Sequence, residues 1–198
     1  MEKIGILGGT FNPIHIGHLI LAQNALEQCR LDKVLIMPSG VSYFKNQAEI
    51  VSKKHRINMV KEAIKNHSAF ELSTIETDRE GNSYTYETIL ELKKEARELY
   101  YIIGADTLFS IETWKNPDII IKNSILVCSR RDGIPDEALY AKKVELENKF
   151  KGNIIILDTP EVNISSSNIR KILENGKTGK YYFPDGVMEY IKNNVLYK

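Results

Sequence analysis

The chain has 198 residues, 27 of them basic and 26 acidic, for a formal net charge of +1. That length suits one well-buried core and falls short of two ordinary domains, and the balanced charge excludes the broad basic field by which proteins hold DNA, RNA or anionic membrane surfaces. No apolar run approaches the roughly 20 residues that cross a bilayer and the N-terminus lacks a signal-peptide pattern, so a cytoplasmic protein is expected, with no nucleic-acid and no membrane partner.

Residues 3–7, Lys-Ile-Gly-Ile-Leu, predict a first strand, apolar enough to lie inside a sheet. The stretch Gly8-Gly9-Thr10-Phe11-Asn12-Pro13-Ile14-His15-Ile16-Gly17-His18 follows it. Helical periodicity comes next, with Leu19, Ala22, Leu26 and Cys29 on one face to about Arg30. Gly8 and Gly9 permit backbone conformations and close ligand approach that a Cβ would obstruct, and Pro13 stiffens the turn. A helix beginning near Ile16 or Gly17 turns its unpaired N–H groups and positive dipole end toward an anion. His15 and His18, three apart, then share one side of its first turn and can hydrogen-bond phosphate oxygens. Taken singly, the glycine pair is also a plain tight turn and His-x-x-His also a metal pair. Neither an acidic third ligand nor a Cys lies nearby in sequence, so no metal site is assigned. The stretch has neither the Gly-Lys-Ser/Thr ending of a P-loop nor Gly-x-Gly-x-x-Gly spacing.

Residues 33–37 predict a second strand ended by Pro38, which completes a βαβ unit. Residues 39–52 have no steady period and predict a loop over the ligand-binding edge of the sheet, with Lys45 its only cation. Ile57, Val60 and Ile64 mark a second helix from Lys53, residues 70–75 a third strand, and residues 77–83 a loop. Ile89, Leu92 and Ala96 define a helix capped by Ser83 or Thr85, and residues 99–103 a central fourth strand. Gly104-Ala105-Asp106-Thr107 ends that strand and opens another helix, which puts Asp106 on the same edge; Trp114 follows eight residues later. A short helix over 118–122, a fifth strand at Ile125–Ser129, an exposed connection at 130–133, a largely solvated helix through Leu139, Leu146 and Phe150, and a last strand at Ile154–Leu157 complete the alternation. Ser165-Ser166-Ser167-Asn168 opens a further helix stopped at Gly176, and residues 184–191 predict a small final one. Cys29 and Cys128 face the core as thiols with no disulfide. The fold class is therefore α/β: a Rossmann-like doubly wound parallel sheet, one domain over residues 1–198, with a small helical C-terminal end.

Ile164-Ser165-Ser166-Ser167-Asn168-Ile169-Arg170 sets three hydroxyls at a helix N-terminus with an Arg in the first turns. Hydroxyls and N–H groups bind phosphate oxygens and Arg can clamp two of them. Alone, the run is also an ordinary cap and the Arg an ordinary surface cation. Together with the first loop it resembles the Gly-Gly-x-Phe-x-Pro-x-His-x-Gly-His and Ile-Ser-Ser-Thr/Ser-x-Ile/Val-Arg elements of the His-x-Gly-His nucleotidyltransferases. Over most of its length the chain is similar to the bacterial nicotinate mononucleotide adenylyltransferases. Lys45 after the second strand, Arg56 with Met59, Tyr84-Thr85, Gly104-Ala105-Asp106 with Trp114, and a Tyr-x-x-Pro tail recur in that order. Related pantetheine-phosphate and glycerol-phosphate enzymes share the two phosphate elements, and the Gly-Ala-Asp…Trp pattern points to the pyridine nucleotide. In one departure, Ser42-Tyr43-Phe44 stands where many members have Pro-Pro-His.

The resemblance implies an enzyme that transfers the adenylyl group of ATP to nicotinate mononucleotide, with Mg²⁺ arriving on the ATP. It implies that His15 and His18 touch the triphosphate, that Ser165, Ser167 and Arg170 hold its β/γ end, and that Lys45 reaches the incoming phosphate. Gly8, Gly9, Thr10, Phe11 and Gly104 would line the ATP, Asp106 a ribose, and Tyr84, Thr85 and Trp114 the nicotinate. His15, His18, Lys45 and Arg170 would carry the catalysis. The rival readings are a related transferase with another phosphate-bearing acceptor and a nucleotide sensor without turnover. Oligomeric state is left open, a homo-oligomer included.

Overall fold

Strands of a parallel sheet are covered on both faces and need continuous apolar runs rather than alternation. Strand β1, Glu2–Gly9, buries Ile4, Gly5, Ile6 and Leu7 in succession, and β4, Arg97–Gly104, buries all five of residues 99–103. The structure, a computed structural model, describes residues 1–40, 50–93, 97–130, 133–160 and 162–198. With β2 (Lys33–Pro38), β3 (Phe70–Leu72), β5 (Ile125–Ser129) and β6 (Ile154–Leu157), these strands form one sheet in the order β3-β2-β1-β4-β5-β6. The pairs β1–β4, β4–β5 and β5–β6 are parallel, with Leu7 opposite Ile102 and Gly104 opposite Ser129. This is the α/β Rossmann-like arrangement expected, with the strand order reversing between β1 and β4.

The helices are α1 (Ile16–Gln28), α2 (Lys53–Ile64), α3 (Thr85–Lys93), α4 (Ala105–Ser110), α5 (Pro117–Asn123), α6 (Asp136–Phe150), α7 (Ser166–Glu174) and α8 (Asp185–Asn193), with a 3-10 turn at Ile111–Thr113. Several bounds differ from the sequence reading by a residue or two, and two of the differences have a local cause. β3 ends at Leu72 rather than residue 75, because Thr74 starts a turn whose carbonyl accepts from the Asp78 N–H and the Thr77 hydroxyl. Local side-chain bonds of this kind compete with a ladder. Thr85 is the first residue of α3 rather than its cap; the Tyr84 carbonyl receives the first helical N–H groups. Ala96, Arg131 and Asp132, named in the sequence reading, lie outside the described residues.

The chain forms two compact units, each drawn from three separated stretches. The first comprises Met1–Leu7, Leu21–Leu35 and Tyr84–Asn163. In it Gly5 is required by close approach: a Cβ there would lie 2.8 Å from Leu31, 3.0 Å from Val34 and 3.2 Å from Ile102. Helix α3 packs on α5 and α4 on α6. Cys29 and Cys128 are buried free thiols here. The second unit comprises Gly8–Ile20, Ile36–Ser83 and Ile164–Lys198. Its helices α2 and α8 bury Met59, Val60, Val187 and Ile191. The Tyr190 hydroxyl joins the two, 3.0 Å from His55 Nδ1 and accepting from Asn58 Nδ2 at 2.9 Å. Among the described residues no helix is long and apolar enough to cross a membrane.

In the first unit, the Glu112 carboxylate accepts from Lys142 Nζ at 2.5 Å and Lys149 Nζ at 2.6 Å, tying the 3-10 turn to α6. Those hydrogen bonds hold its pKa down from 4.5 to about 2. A depressed carboxylate contributes stability that is complete above its unfolded pKa and lost as pH falls toward the folded one. Glu112→Gln is therefore expected to lower the melting temperature at neutral pH. The gap to the wild type should narrow in thermal melts taken from about pH 5 down to about pH 3. A gap unchanged over that window would show that the lysines do not hold the carboxylate.

Candidate active site

Both phosphate elements read from the sequence fall in the second unit. Loop 10–13 is held there by donors from distant parts of the chain. Arg56 Nη1 donates to the Thr10 carbonyl at 2.9 Å, Arg170 Nη1 to the Asn12 carbonyl at 2.9 Å, and Ser166 Oγ to the Pro13 carbonyl at 2.9 Å. The Asn12 side-chain oxygen accepts from the Tyr197 hydroxyl at 2.8 Å and the Val51 N–H at 3.3 Å. The Asn12–Pro13 peptide is cis. Phe11 takes left-handed backbone, φ 49, and turns its ring into the interior. Gly9 makes that possible, since a Cβ on it would stand 2.8 Å from the Phe11 ring.

Helix α1 opens on His15, whose carbonyl accepts the N–H groups of His18 and Leu19. His18 Nδ1 in turn accepts the His15 N–H at 3.2 Å. This is the reciprocal logic of a capping box, with an imidazole three residues in where Glu or Gln is usual. That bond leaves the proton of a neutral His18 ring on Nε2, as a donor. The two rings stack with centroids 3.6 Å apart, and the edge of Phe11 meets His18 at 5.0 Å. His15 is 5 % exposed and its Nδ1 finds no partner among the described residues. Burial lowers its pKa from 6.5 to about 4, so the free protein carries it neutral.

The second phosphate element is α7. Ser165 is its N-cap, with Oγ accepting the Asn168 N–H at 3.2 Å, which leaves the hydroxyl hydrogen to donate. Ser167 Oγ accepts from Arg170 Nη2 at 3.4 Å. Arg56 is 2 % exposed with Nε unpartnered among the described residues, and burial draws its pKa down while Tyr197 opposes the shift. It keeps its charge even so. Lys45 and the divergent Ser42, Tyr43 and Phe44 lie outside the described residues.

Of the residues read as the pyridine-nucleotide set, Tyr84, Thr85, Asp106 and Trp114 belong to the first unit, and Lys45 lies outside the described residues. The Trp114 ring meets Tyr101 edge-on at 6.2 Å, and the Tyr101 hydroxyl is 3.4 Å from Thr85 Oγ1. Lys115 Nζ sits 4.4 Å over the ring of Tyr84. Asp106 is exposed in the first turn of α4, for which Gly104 is the N-cap. Sequence reasoning passed over Tyr101, Lys115, Asn12 and Tyr197. Lys115 could have been found as the neighbour of Trp114 and Asn12 as a polar residue inside the signature. Tyr101 reads as one more strand aromatic, and Tyr197 carries no local signal at all.

A family model described as cytidylyltransferase-like matches residues 6–172. Relatives named "Probable nicotinate-nucleotide adenylyltransferase" include one from Lachnoclostridium phytofermentans, 39 % identical with all of both chains covered, and one from Clostridium tetani, 41 % identical with the same coverage. Among solved structures, a Plasmodium falciparum nicotinic acid mononucleotide adenylyltransferase complexed with NaAD superposes with a TM-score of 0.82 at 21 % identity, covering 100 % of this chain and 98 % of that one. At that identity the superposition speaks for the fold.

The burial of His15 has a direct consequence in solution. Between pH 6.5 and about 4 the unfolded chain holds more protons at this site than the folded one, so stability falls as pH falls through that window. In an NMR titration of the free protein, His15 should titrate with a midpoint near 4. A midpoint near 6.5 would place the ring in water rather than under the loop.

Proposed function

The chain belongs to the cytidylyltransferase-like family and, within it, to the nicotinate-nucleotide adenylyltransferases, and we infer from that membership how its own residues divide the work of adenylyl transfer. The reaction joins nicotinate mononucleotide to the adenylyl group of ATP, giving nicotinate adenine dinucleotide and pyrophosphate, in NAD biosynthesis. The observation that carries the assignment of roles is that loop 10–13 and α7 are bonded to each other through Arg170 and Ser166 within one compact unit. We take residues 1–198 as a single nucleotidyltransferase domain. The buried, unpaired thiols suit a reducing compartment, the cytoplasm.

A phosphate oxygen of the acceptor attacks the α-phosphorus of ATP. The new P–O bond forms as the bond from the α-phosphorus to the bridging oxygen breaks, and pyrophosphate leaves with that electron pair. The nucleophile is an anion near neutral pH, since the second phosphate pKa is about 6, and needs no strong base. Catalysis then rests on alignment and on donors aimed at the charge that builds up in the transition state. In this reading His18 Nε2 and the start of α1 face the α-phosphate, and a neutral His15 lies beside them. Arg170, Ser165 and Ser167 hold the β/γ end, Lys45 meets the incoming phosphate, and Asp106 a ribose. Gly8, Gly9, Thr10 and Gly104 supply backbone to the ATP. Mg²⁺ would be brought in on triphosphate oxygens, the hard donors that ion takes. When bound, that ion neutralises charge on the leaving pyrophosphate.

For the acceptor, Trp114 offers a stacking face and Tyr84-Thr85 polar backbone. The Lys115 ammonium over Tyr84 adds positive charge to that set. A carboxylate gains charge-assisted hydrogen bonds there, roughly twice as strong as neutral ones, whereas an amide sets its own donors against donors at about 1–3 kcal/mol. The test is pyrophosphate release with a panel of phosphate-bearing acceptors. Nicotinate mononucleotide should be preferred over its amide by at least about 10²-fold in kcat/KM, since each 1.4 kcal/mol is about tenfold. Comparable values for acid and amide would refute the carboxylate-reading pocket. Release only with an unrelated acceptor, or none at all, would refute the assignment. His18→Ala should fold normally and lose about 10²-fold in kcat, the usual worth of one oriented donor to transition-state charge. Unchanged turnover in a folded variant would remove His18 from the chemistry.

A further inference from the structure

The Tyr197 hydroxyl reaches Oδ1 of Asn12, 185 residues away in the chain, at 2.8 Å, and lies 4.0 Å from Met59 Sδ. Beyond α8 the backbone takes an unusual path to deliver it. Val195 and Tyr197 both adopt left-handed conformations, φ 56 and 60, and for a β-branched residue such as Val that region is an outlier. Asn12 is 4 % exposed, so its side-chain oxygen depends on protein donors in place of water. Tyr197 and the Val51 N–H are those donors. The main-chain carbonyl of the same residue takes Nη1 of Arg170, whose Nη2 reaches Ser167 Oγ. Asn12 is thus gripped twice, by Tyr197 on its side chain and by Arg170 on its backbone. Burial pushes the Tyr197 phenol above its ordinary range, with Arg170 and Arg56 pulling the other way, so the hydroxyl keeps its proton and stays a donor.

We propose that Tyr197 is a positioning residue for adenylyl transfer: by fixing Asn12 it aims Arg170, through the Asn12 carbonyl, at the triphosphate. Tyr197 itself touches no substrate. The inference rests on the reading of Arg170 as an ATP-binding residue. A Tyr197 that only packed against Met59 would affect stability and both substrates alike.

Tyr197→Phe in the full chain keeps the ring on Met59 and removes only the O–H. Three quantities are measured: affinity for an α,β-methylene analogue of ATP by calorimetry, KM for each substrate with kcat, and the melting temperature. Analogue affinity and the KM for ATP should worsen about three- to tenfold, the span of one lost net hydrogen bond. The KM for the pyridine mononucleotide should stay within about twofold and melting should remain cooperative. Arg170→Lys should weaken the analogue too. In that background Tyr197→Phe should change affinity by less than about twofold, because the group it aims is gone. An equal loss for both substrates, a loss of stability alone, or full additivity of the two variants would overturn the proposal. Wild-type affinity for the analogue in Arg170→Lys would refute the reading of Arg170 and the proposal with it. Analogue affinity is measured without any acceptor, so a wrong acceptor assignment would appear in the turnover panel and leave this test standing.

Discussion

The site in the second unit depends on one constraint: the carbonyls of Thr10, Asn12 and Pro13 and the Asn12 side chain are held by protein donors. Three successive grips, from Arg56, Arg170 and Ser166, take the carbonyls of Thr10, Asn12 and Pro13, and Tyr197 takes the Asn12 side chain. A carbonyl and the next N–H point opposite ways across a trans peptide. Pinning the Thr10 and Pro13 oxygens to α2 and α7 therefore turns the N–H groups of Phe11 and Ile14 away from those donors. A loop this short, left to itself, would sample many orientations. Leaving any one of these groups buried and unpaired costs about 1–3 kcal/mol, enough to select a single one.

The same grips settle the electrostatics. Arg56 and Arg170 donate to neutral carbonyl and hydroxyl oxygens, and among the described residues neither pairs with a carboxylate. Their charges consequently stay available to an anion, while a salt bridge would have cancelled them. The histidines contribute direction rather than charge. Their spacing of three is what lets His18 cap the His15 N–H at the start of α1, and that bond commits the His18 proton to its other nitrogen. Burial keeps His15 neutral in the free protein.

Much of the fold is legible in the sequence. The unbroken apolar runs of β1 and β4 announce a parallel sheet, because only strands covered on both faces can afford them. The two elements read as phosphate-binding lie where the pattern put them, after β1 and at the N-terminus of α7, since Gly, His, Ser and Arg types at fixed spacings have a local physical meaning in a loop or a first helical turn. Where local bonding competed with periodicity, the reading slipped: Thr74 ends β3 early through its turn, and Thr85 begins α3 instead of capping it. Phe11, a signature residue, proved to be buried, its ring packed beside Gly9.

The sequence by itself determined the fold class and the family, because both are written in short-range pattern: period, spacing and side-chain chemistry. Only the tertiary structure decided which donors hold loop 10–13 and how the aromatic set is assembled. Arg56, Arg170 and Tyr197 reach the loop from 46, 158 and 185 residues away, and Tyr101 and Lys115 join Thr85, Tyr84 and Trp114 across separate elements. Such pairings leave no periodic trace. They are fixed by chain crossings and close packing, which bring together residues whose local sequence gives neither of them a reason to meet.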